Sequence, residues 1–366
     1  MIERRWKREA DLIVVGGGLV AIMATAVAAE SGMRVINYRT AETRPTLNPL
    51  TAKHDWLHSG LLLDADLPTA RLVRVWGRNM LRTFGIRTSS EAGIFIARTA
   101  ESANRLRRAA DCLGVPIHEM SSVEAERIAG PHFGGSSSYA VPDGLFDRDA
   151  LADVTDRWSI GAGASIVEVD RKDPIVLLPS DTAAGGILVQ TAREVAESAV
   201  TLLADGAMIP ALIEPLRIRH PLAVYRSPVV VMPGPAGLRA GLLVDLDKRL
   251  AYVRHTRSNS ASDIYTIAPS HFSPPHDGAP PVTDFLDSHI WSGRNRPESR
   301  VVAVAREVDT VEAQGHKPVL PWIHQFKSEG FPGLIAVVAS VANLALWTAR
   351  RVIRLATGSE SWERGI

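Results

Sequence analysis

Asp11-Leu-Ile-Val-Val15, running straight into Gly16-Gly-Gly18-Leu-Val-Ala21, decides how this chain is read. A short apolar strand enters a glycine turn, and an alanine-rich helix over Leu19–Ser31 leaves it. That order suits the pyrophosphate of a dinucleotide. Gly16, Gly17 and Gly18 permit a tight turn and close backbone approach, and the small Ala21 lets the helix pack on the strand. The helix N-terminus then presents N–H groups and the positive end of its dipole to the phosphates. A glycine triplet alone is a weak signal; its place between a strand and a helix gives it weight. The next strand, Met33-Arg-Val-Ile-Asn-Tyr38, should end in an acid that holds the adenosine ribose, and it reaches Arg39 instead.

The 366 residues suffice for two domains, or for one large α/β domain with a second lobe. Apolar residues make up 46% and charged residues 22%, so the core needs no staples. A formal net charge of +1 provides no field to draw nucleic acid or an anionic membrane. Cys112 is the single cysteine, which excludes an intramolecular disulfide framework and a multi-cysteine metal or iron–sulfur site. It is expected as a small buried residue on a helix over Glu101–Leu113. The histidines show neither HxH nor HExxH spacing, so no metal site is expected, and the absence of a GxSxG elbow argues against an α/β-hydrolase. Met1–Ala10 is charged and lacks the apolar stretch of a signal peptide. The longest apolar run, Gly333–Trp347, falls short of the roughly 20 residues that cross a bilayer. A cytoplasmic protein without a membrane span is the expectation.

Thr43–Ser59 is polar and proline-punctuated, and His54, Trp56 and His58 make it too rich in functional side chains for a plain linker. Leu67–Phe84 returns to helical spacing, with Leu72, Val75, Trp76 and Met80 as its apolar stripe. A strand at Ile94–Ala97 and the helix Glu101–Leu113 lead to a turn at Leu113–Ile117. Ser121–Glu126 has the spacing of a capping box and starts a helix. A turn at Ala140–Gly144, a helix at Arg148–Ile160 and a strand at Gly163–Val169 follow. Ile187–Thr191 and Val200–Ala204 read as strands returning to the first lobe. From Ile218 to Ala268 short strands alternate with turns: Leu222–Tyr225, Val229–Met232, Gly241–Asp245, Leu250–His255 and Asp263–Ile267. This is the pattern of an antiparallel sheet. Ser270–Pro281 reads as a surface loop, and the chain closes with a strand at Phe331–Val338 and a helix at Asn343–Leu355.

Val14-Val-Gly-Gly-Gly18 taken with Trp56-Leu-His-Ser-Gly-Leu-Leu62 resembles FAD-dependent oxidoreductases of the D-amino-acid oxidase superfamily, above all its glycerol-3-phosphate dehydrogenase and L-2-hydroxyglutarate oxidase branch. Leu113-Gly-Val-Pro116, Val141-Pro-Asp-Gly144, Gly161-Ala-Gly-Ala-Ser165 and the closing strand–turn–helix fall where that family has them, while residues 215–330 match in pattern only. The resemblance implies an α/β fold. A Rossmann-like FAD-binding domain would be assembled from discontinuous segments at 1–85, 141–215 and 321–366. A substrate domain with an antiparallel sheet would take 86–140 and 216–320. The resemblance also implies FAD, with the pyrophosphate at Gly16–Gly18 and Val167 near adenine. The loop of His54, His58 and Ser59 would pass the flavin ring, and the Ser340–Asn343 turn would approach its pyrimidine edge or ribityl chain.

Three cofactor-facing positions depart from that family. Arg39 stands in place of the ribose-binding acid; a guanidinium only donates, which suits the 2′-phosphate of NADP or a solvent-facing side chain, and Glu42 lies close enough in sequence to substitute in part. Asp205, beside Gly206, is an acid where relatives carry a small residue, and Val338-Ala-Ser-Val-Ala-Asn343 replaces a glycine-rich turn. With flavin bound, oxidation of a C–H next to a hydroxyl or amine needs a proton acceptor, for which His58 ranks first and His54 second. A substrate anion needs a cation. Arg226 beside Tyr225 and Arg254 beside His255 are the candidates, with His324 and Lys327 as further ones. Three readings stay open: an FAD oxidase or dehydrogenase of a small hydroxy or amino acid, an NADP-dependent enzyme, and a cofactor-poor relative serving as a subunit or binding module. The partner is a small molecule in the first two, and a homo-oligomer or a partner subunit is left open.

Overall fold

A computed structural model of the chain describes residues 6–40, 56–64, 66–88, 91–129, 137–170, 172–180, 186–233, 238–254, 264–269, 304–313, 320–339 and 342–358, with the backbone alone at 207, 223–233, 264–269 and 304–313. His54, Glu42, Ser340, His255 and the Ser270–Pro281 loop lie outside these residues, and so does the side chain of Arg226. The chain forms two units, each drawn from several segments. Unit 1 takes Met1–Asn48, Arg148–Val224 and Thr310–Ile366, and unit 2 takes Pro49–Asp147 and Tyr225–Asp309.

The first pass through unit 1 lays down β1 (Trp6–Val15), α1 (Leu19–Glu30) and β2 (Val35–Thr40). Unit 2 follows with β3 (Trp56–Leu57), α2 (Leu67–Phe84), β4 (Gly93–Ala97), α3 (Ala100–Leu113), β5 (His118–Glu119), α4 (Ser122–Ala129), β6 (Ser137–Val141) and β7 (Gly144–Leu145). The chain returns to unit 1 for α5 (Arg148–Gly161), β8 (Ser165–Val169), β9 (Val176–Pro179), β10 (Ile187–Gln190), β11 (Glu194–Leu203) and α6 (Ile209–Ile213). It leaves along β12 (Leu222–Pro233) for β13 (Leu242–Asp245), β14 (Leu250–Arg254) and β15 (Ile264–Pro269). It comes back along β16 (Val304–Ala313) and ends on β17 (Trp322–Gln325), β18 (Leu334–Val338) and α7 (Ala345–Ala356).

In unit 1 the strand order is β17-β18-β11-β1-β2-β8. β18, β11, β1, β2 and β8 run parallel, so the apolar Leu12–Val15 is buried on both faces, as a central parallel strand must be. β17 closes one edge antiparallel, and β9 and β10 extend the lower half of β11. The crossover helix α1 is buried over most of its length, which its run of alanines permits, and it packs against α5 and α7. Ile13, Val15, Ile36, Tyr38, Leu203, Ile209, Phe326 and Leu334 share one core. Unit 2 holds an eight-stranded sheet of order β16-β12-β15-β14-β13-β4-β6-β5. Its pairings are antiparallel from β12 to β13 and from β4 to β5, and β13 runs parallel to β4. The parallel α/β core and the largely antiparallel second sheet are those expected from the sequence.

Local expectations are corrected at several places. The buried face of α2 is Thr69, Ala70, Val73, Gly77, Met80, Leu81 and Phe84, and Val75 is 52% exposed. The small Ala70 and Gly77 are what this helix turns inward. Its arginines lie elsewhere, and Arg74 donates to the α3 carbonyl of Leu113 at 2.7 Å. Cys112 is exposed, because α3 buries Ala103, Leu106, Ala109, Ala110 and Leu113 and leaves Cys112 beside Asp111 on the charged face. Leu222–Tyr225 and Val229–Met232 are one strand, β12, despite Pro228 between them. β2 extends past Tyr38, so Arg39 is a strand residue.

Candidate functional site

Three groups of atoms close the glycine turn of unit 1. Gly16 has φ +137°, donates its N–H to Tyr38 O at 2.8 Å, and runs so close to β11 that a Cβ would sit 2.7 Å from Ala204 O. Buried Asn37 holds the turn from the side, its amide donating to Val14 O at 3.1 Å and Gly16 O at 2.9 Å. Gly18 is the N-cap of α1; no side chain caps this end and no acid stands in its first turn. The leading N–H groups therefore lack a side-chain cap, an arrangement that suits an anion. Ala21 is fully buried, and Gly17 is buried in the turn itself.

Arg39 is 2% exposed, and each branch of its guanidinium is engaged. Nη1 and Nη2 donate to the two carboxylate oxygens of Asp156 on α5 at 2.7 and 2.8 Å, and Nε donates to Asn37. The sequence offered a phosphate ligand or a solvent-facing side chain. The structure gives neither: Arg39 braces Asn37, which braces the glycine turn. Of the other expected contacts, Gly206 begins the turn after β11, whose preceding residues Ala204 and Asp205 border Gly16. Val167 is half-buried in β8 opposite Tyr38. Asn343 is buried in the short helical turn Ala342–Leu344 that leads into α7.

Unit 2 gathers a second cluster on the loop after β3. Gly60 has φ +91°, and a Cβ there would meet Ala70 O at 2.6 Å, so His58-Ser59-Gly60 lies pressed onto α2. Trp56 is buried against Phe95 edge-on, and His58 stacks on its indole with ring centroids 4.0 Å apart. The indole N–H donates to Asp143 Oδ2 at 2.7 Å. Asp143 sits in the turn between β6 and β7, its backbone carbonyl tied to Gly93 N at 2.7 Å. Burial pushes its carboxyl up to about 6, against opposing pulls from Ser59, Trp56 and Arg78. Ser59 lies beside it, yet neither Ser59 Oγ nor Asp143 Oδ1 completes a well-formed hydrogen bond. The sequence pointed to His58 and Ser59 but treated Asp143 only as a turn residue; the signal for it was an acid inside an otherwise apolar Val141–Leu145 stretch.

The sign of the pH effect follows from the raised value. Below the ordinary carboxylate range, near 3.8, folded and unfolded chains both carry the proton. Between there and about 6 only the unfolded chain releases it, so Asp143 withdraws stability as pH rises and the loss is complete above about 6. Asp143→Asn should therefore gain on the native protein between pH 4 and 7, by on the order of 3 kcal/mol. Urea unfolding midpoints of both proteins at the two pH values check this.

Of the expected anion holders, Arg254 and His324 have partners within their own units. Arg254 donates to Glu91 at 3.2 Å and to Arg239 O at 3.0 Å within unit 2. His324 in unit 1 stacks on Trp322 and contacts Glu329 at 3.1 Å. Lys327 is exposed on a turn, and Arg226 falls on β12.

No family model and no curated protein matches the chain. Solved structures do match over nearly its whole length. NikD, "an unusual amino acid oxidase essential for nikkomycin biosynthesis", superposes with a TM-score of 0.69 at 16% identity, covering 98% of this chain and 96% of its own. Glycine oxidase from Geobacillus kaustophilus gives 0.67 at 17%, with 98% and 97% covered. L-amino acid deaminase from Proteus vulgaris gives 0.71 at 14%, with 99% and 96% covered. The chain has the fold of these amino acid oxidases. Within that oxidase fold, the uncapped α1 end and the glycine-only approach to β11 suit a dinucleotide pyrophosphate. The end of β2 carries an internal ion pair in place of an acceptor for ribose hydroxyls.

Proposed function

We propose that the chain is an FAD-dependent oxidase or dehydrogenase of a small amino acid or related amine. The observation that carries this reading is the uncapped glycine turn of unit 1, set in a fold shared end to end with NikD, glycine oxidase and L-amino acid deaminase. Gly16, Gly17 and Gly18 with the N-terminus of α1 hold the pyrophosphate, and Val167, Gly206 and Asn343 with Ser340 contribute further cofactor contacts. When bound, FAD supplies a hydride acceptor for the substrate carbon. His58 takes the proton from the substrate nitrogen, so that its lone pair is available as the hydride leaves. His54 is the second choice for that proton, and Arg226 on β12 is assigned to the substrate carboxylate, which a guanidinium grips in two bonds. The burial of Arg39 and its bidentate pairing with Asp156 weigh against NADP, since its charge is already matched by a carboxylate of the chain itself.

The purified protein should be yellow and release a flavin spectrum on denaturation. Colourless protein that cannot be reconstituted with FAD would leave the cofactor-poor reading in its place. Turnover of 2-hydroxy acids with none of amino acids would return the reading to the glycerol-3-phosphate dehydrogenase and L-2-hydroxyglutarate oxidase branch. In the active enzyme, His58→Asn should lower kcat/KM by about 100-fold, measured by stopped-flow reduction across a panel of amino acids.

A further inference from the structure

The cluster beneath His58 contains a buried acid with no part in the chemistry assigned so far. Asp143 reaches His58 through one intermediate, the Trp56 indole, whose N–H it accepts at 2.7 Å and whose face His58 covers at 4.0 Å. An indole whose N–H is bonded to a carboxylate is richer in π-electron density, and the face of such a ring favours a cation over a neutral partner. We propose that Asp143 is a positioning residue for His58, acting through Trp56 to fix the imidazole's place and raise its basicity. The inference deepens the reading of His58 as proton acceptor and rests on it for its use in turnover, but not for its physical test.

Two further contacts fit this role. Ser59, next to His58 in the chain, has its hydroxyl beside the same carboxyl, and both Ser59 Oγ and Asp143 Oδ1 are buried without a completed bond. Ionisation of Asp143 gives that hydroxyl a stronger acceptor and draws the loop toward it. The carbonyl of Asp143 is anchored by Gly93 N, so the acid is the fixed end of the arrangement and the loop the adjustable one. Among the described residues, the charged group acting on Asp143 is Arg78 from α2. Phe95 of β4 and Leu145 of β7, which flank the cluster, carry no charge.

The test is the pH titration of the His58 ring by NMR in the full-length protein with isotope-labelled histidine, its resonance assigned by its loss in His58→Asn. Asp143→Asn keeps the shape and an acceptor for the indole, so a role in shape alone would leave the titration unmoved. The expected result is a downward shift of the His58 midpoint by roughly half a pH unit. Trp56→Phe keeps a ring but removes the N–H, and should give the same shift with no further change in the double variant. Ser59→Ala, which removes one oxygen and spares the fold, should move any Asp143-linked inflection to higher pH. An unchanged His58 midpoint in Asp143→Asn, or additive shifts in the double variant, would overturn the proposal. Because no turnover is needed, failure here is distinguishable from failure of the oxidase reading, which the flavin spectrum decides.

Discussion

Asp156→Ala is expected to lower folding stability by about 3 kcal/mol, the lower end for breaking a buried ion pair. The cost arises on the other side of the pair. Arg39, at 2% exposure, would keep its charge with both Nη groups unmatched, while Asp156, at 29%, is the partner with access to water. That same access admits some solvent to the orphaned guanidinium and keeps the loss from reaching the top of the range. Arg39→Glu should be at least as harmful, since it sets two carboxylates against each other and releases Asn37 from its Nε contact. A paired replacement, Arg39→Met with Asp156→Leu, should cost less than either single change, as no charge is then left buried. Urea midpoints for the single and double variants decide the matter. If Asp156→Ala is neutral, the pair is not the brace described above.

Gly16→Ala is expected to lower folding stability by about 4 kcal/mol. Part of this is conformational: φ +137° belongs to backbone that a side chain enters at a cost of about 1–3 kcal/mol. The rest is steric, because the new Cβ would lie 2.7 Å from Ala204 O and 2.8 Å from its carbonyl carbon. Both are backbone atoms of the residue directly after β11, whose own N–H is bonded to Val15 O at 2.9 Å, so its backbone is held in place. Gly18→Ala is the control. Its Cβ finds nothing nearer than Ala204 O at 3.9 Å, and its backbone is already extended, so a loss under about 1 kcal/mol is expected. Thermal unfolding separates the two, and FAD affinity should follow the same order.

The sequence carried the parts of the fold that repeat on a short length scale. Leu12–Val15, the glycine turn and the alanines of α1 are consecutive, and Leu67–Phe84 has its helix ends written locally in Asp66 and Gly85. What it did not carry was orientation. Leu72, Val75 and Trp76 fit a helical stripe as well as Val73, Gly77 and Leu81 do, and tertiary neighbours made the choice. Arg39 shows the same limit at the candidate site. A residue type at a family position suggested a ligand, whereas its partner is 117 positions away on α5 and left no local trace. Asp143 was hidden for a similar reason, since its meaning depends on Trp56 across 87 residues. His58 and Ser59, by contrast, stood in a run with Trp56 and Gly60 that could be read directly.

The pairing of β1 with β11 and of β11 with β18 bears on how this protein reaches its native state. Val14 meets Leu202, and Leu202 meets Ile335, so the central sheet of unit 1 joins the two ends of the chain through its middle. Contacts of that span are slow to form, since each requires closure of a long loop before any reward. During synthesis, β1 meets β2 at once, but its other edge waits for β11, which emerges only after the first segment of unit 2. In unit 2 the β13–β14 hairpin is local, whereas β4 meets β6 only across α3, β5 and α4 and meets β13 only after the chain has returned through unit 1. The second edge of β1, with the glycine turn at its end, therefore sets late, and a ribosome-stalled chain ending before Glu194 should leave that edge open to protease.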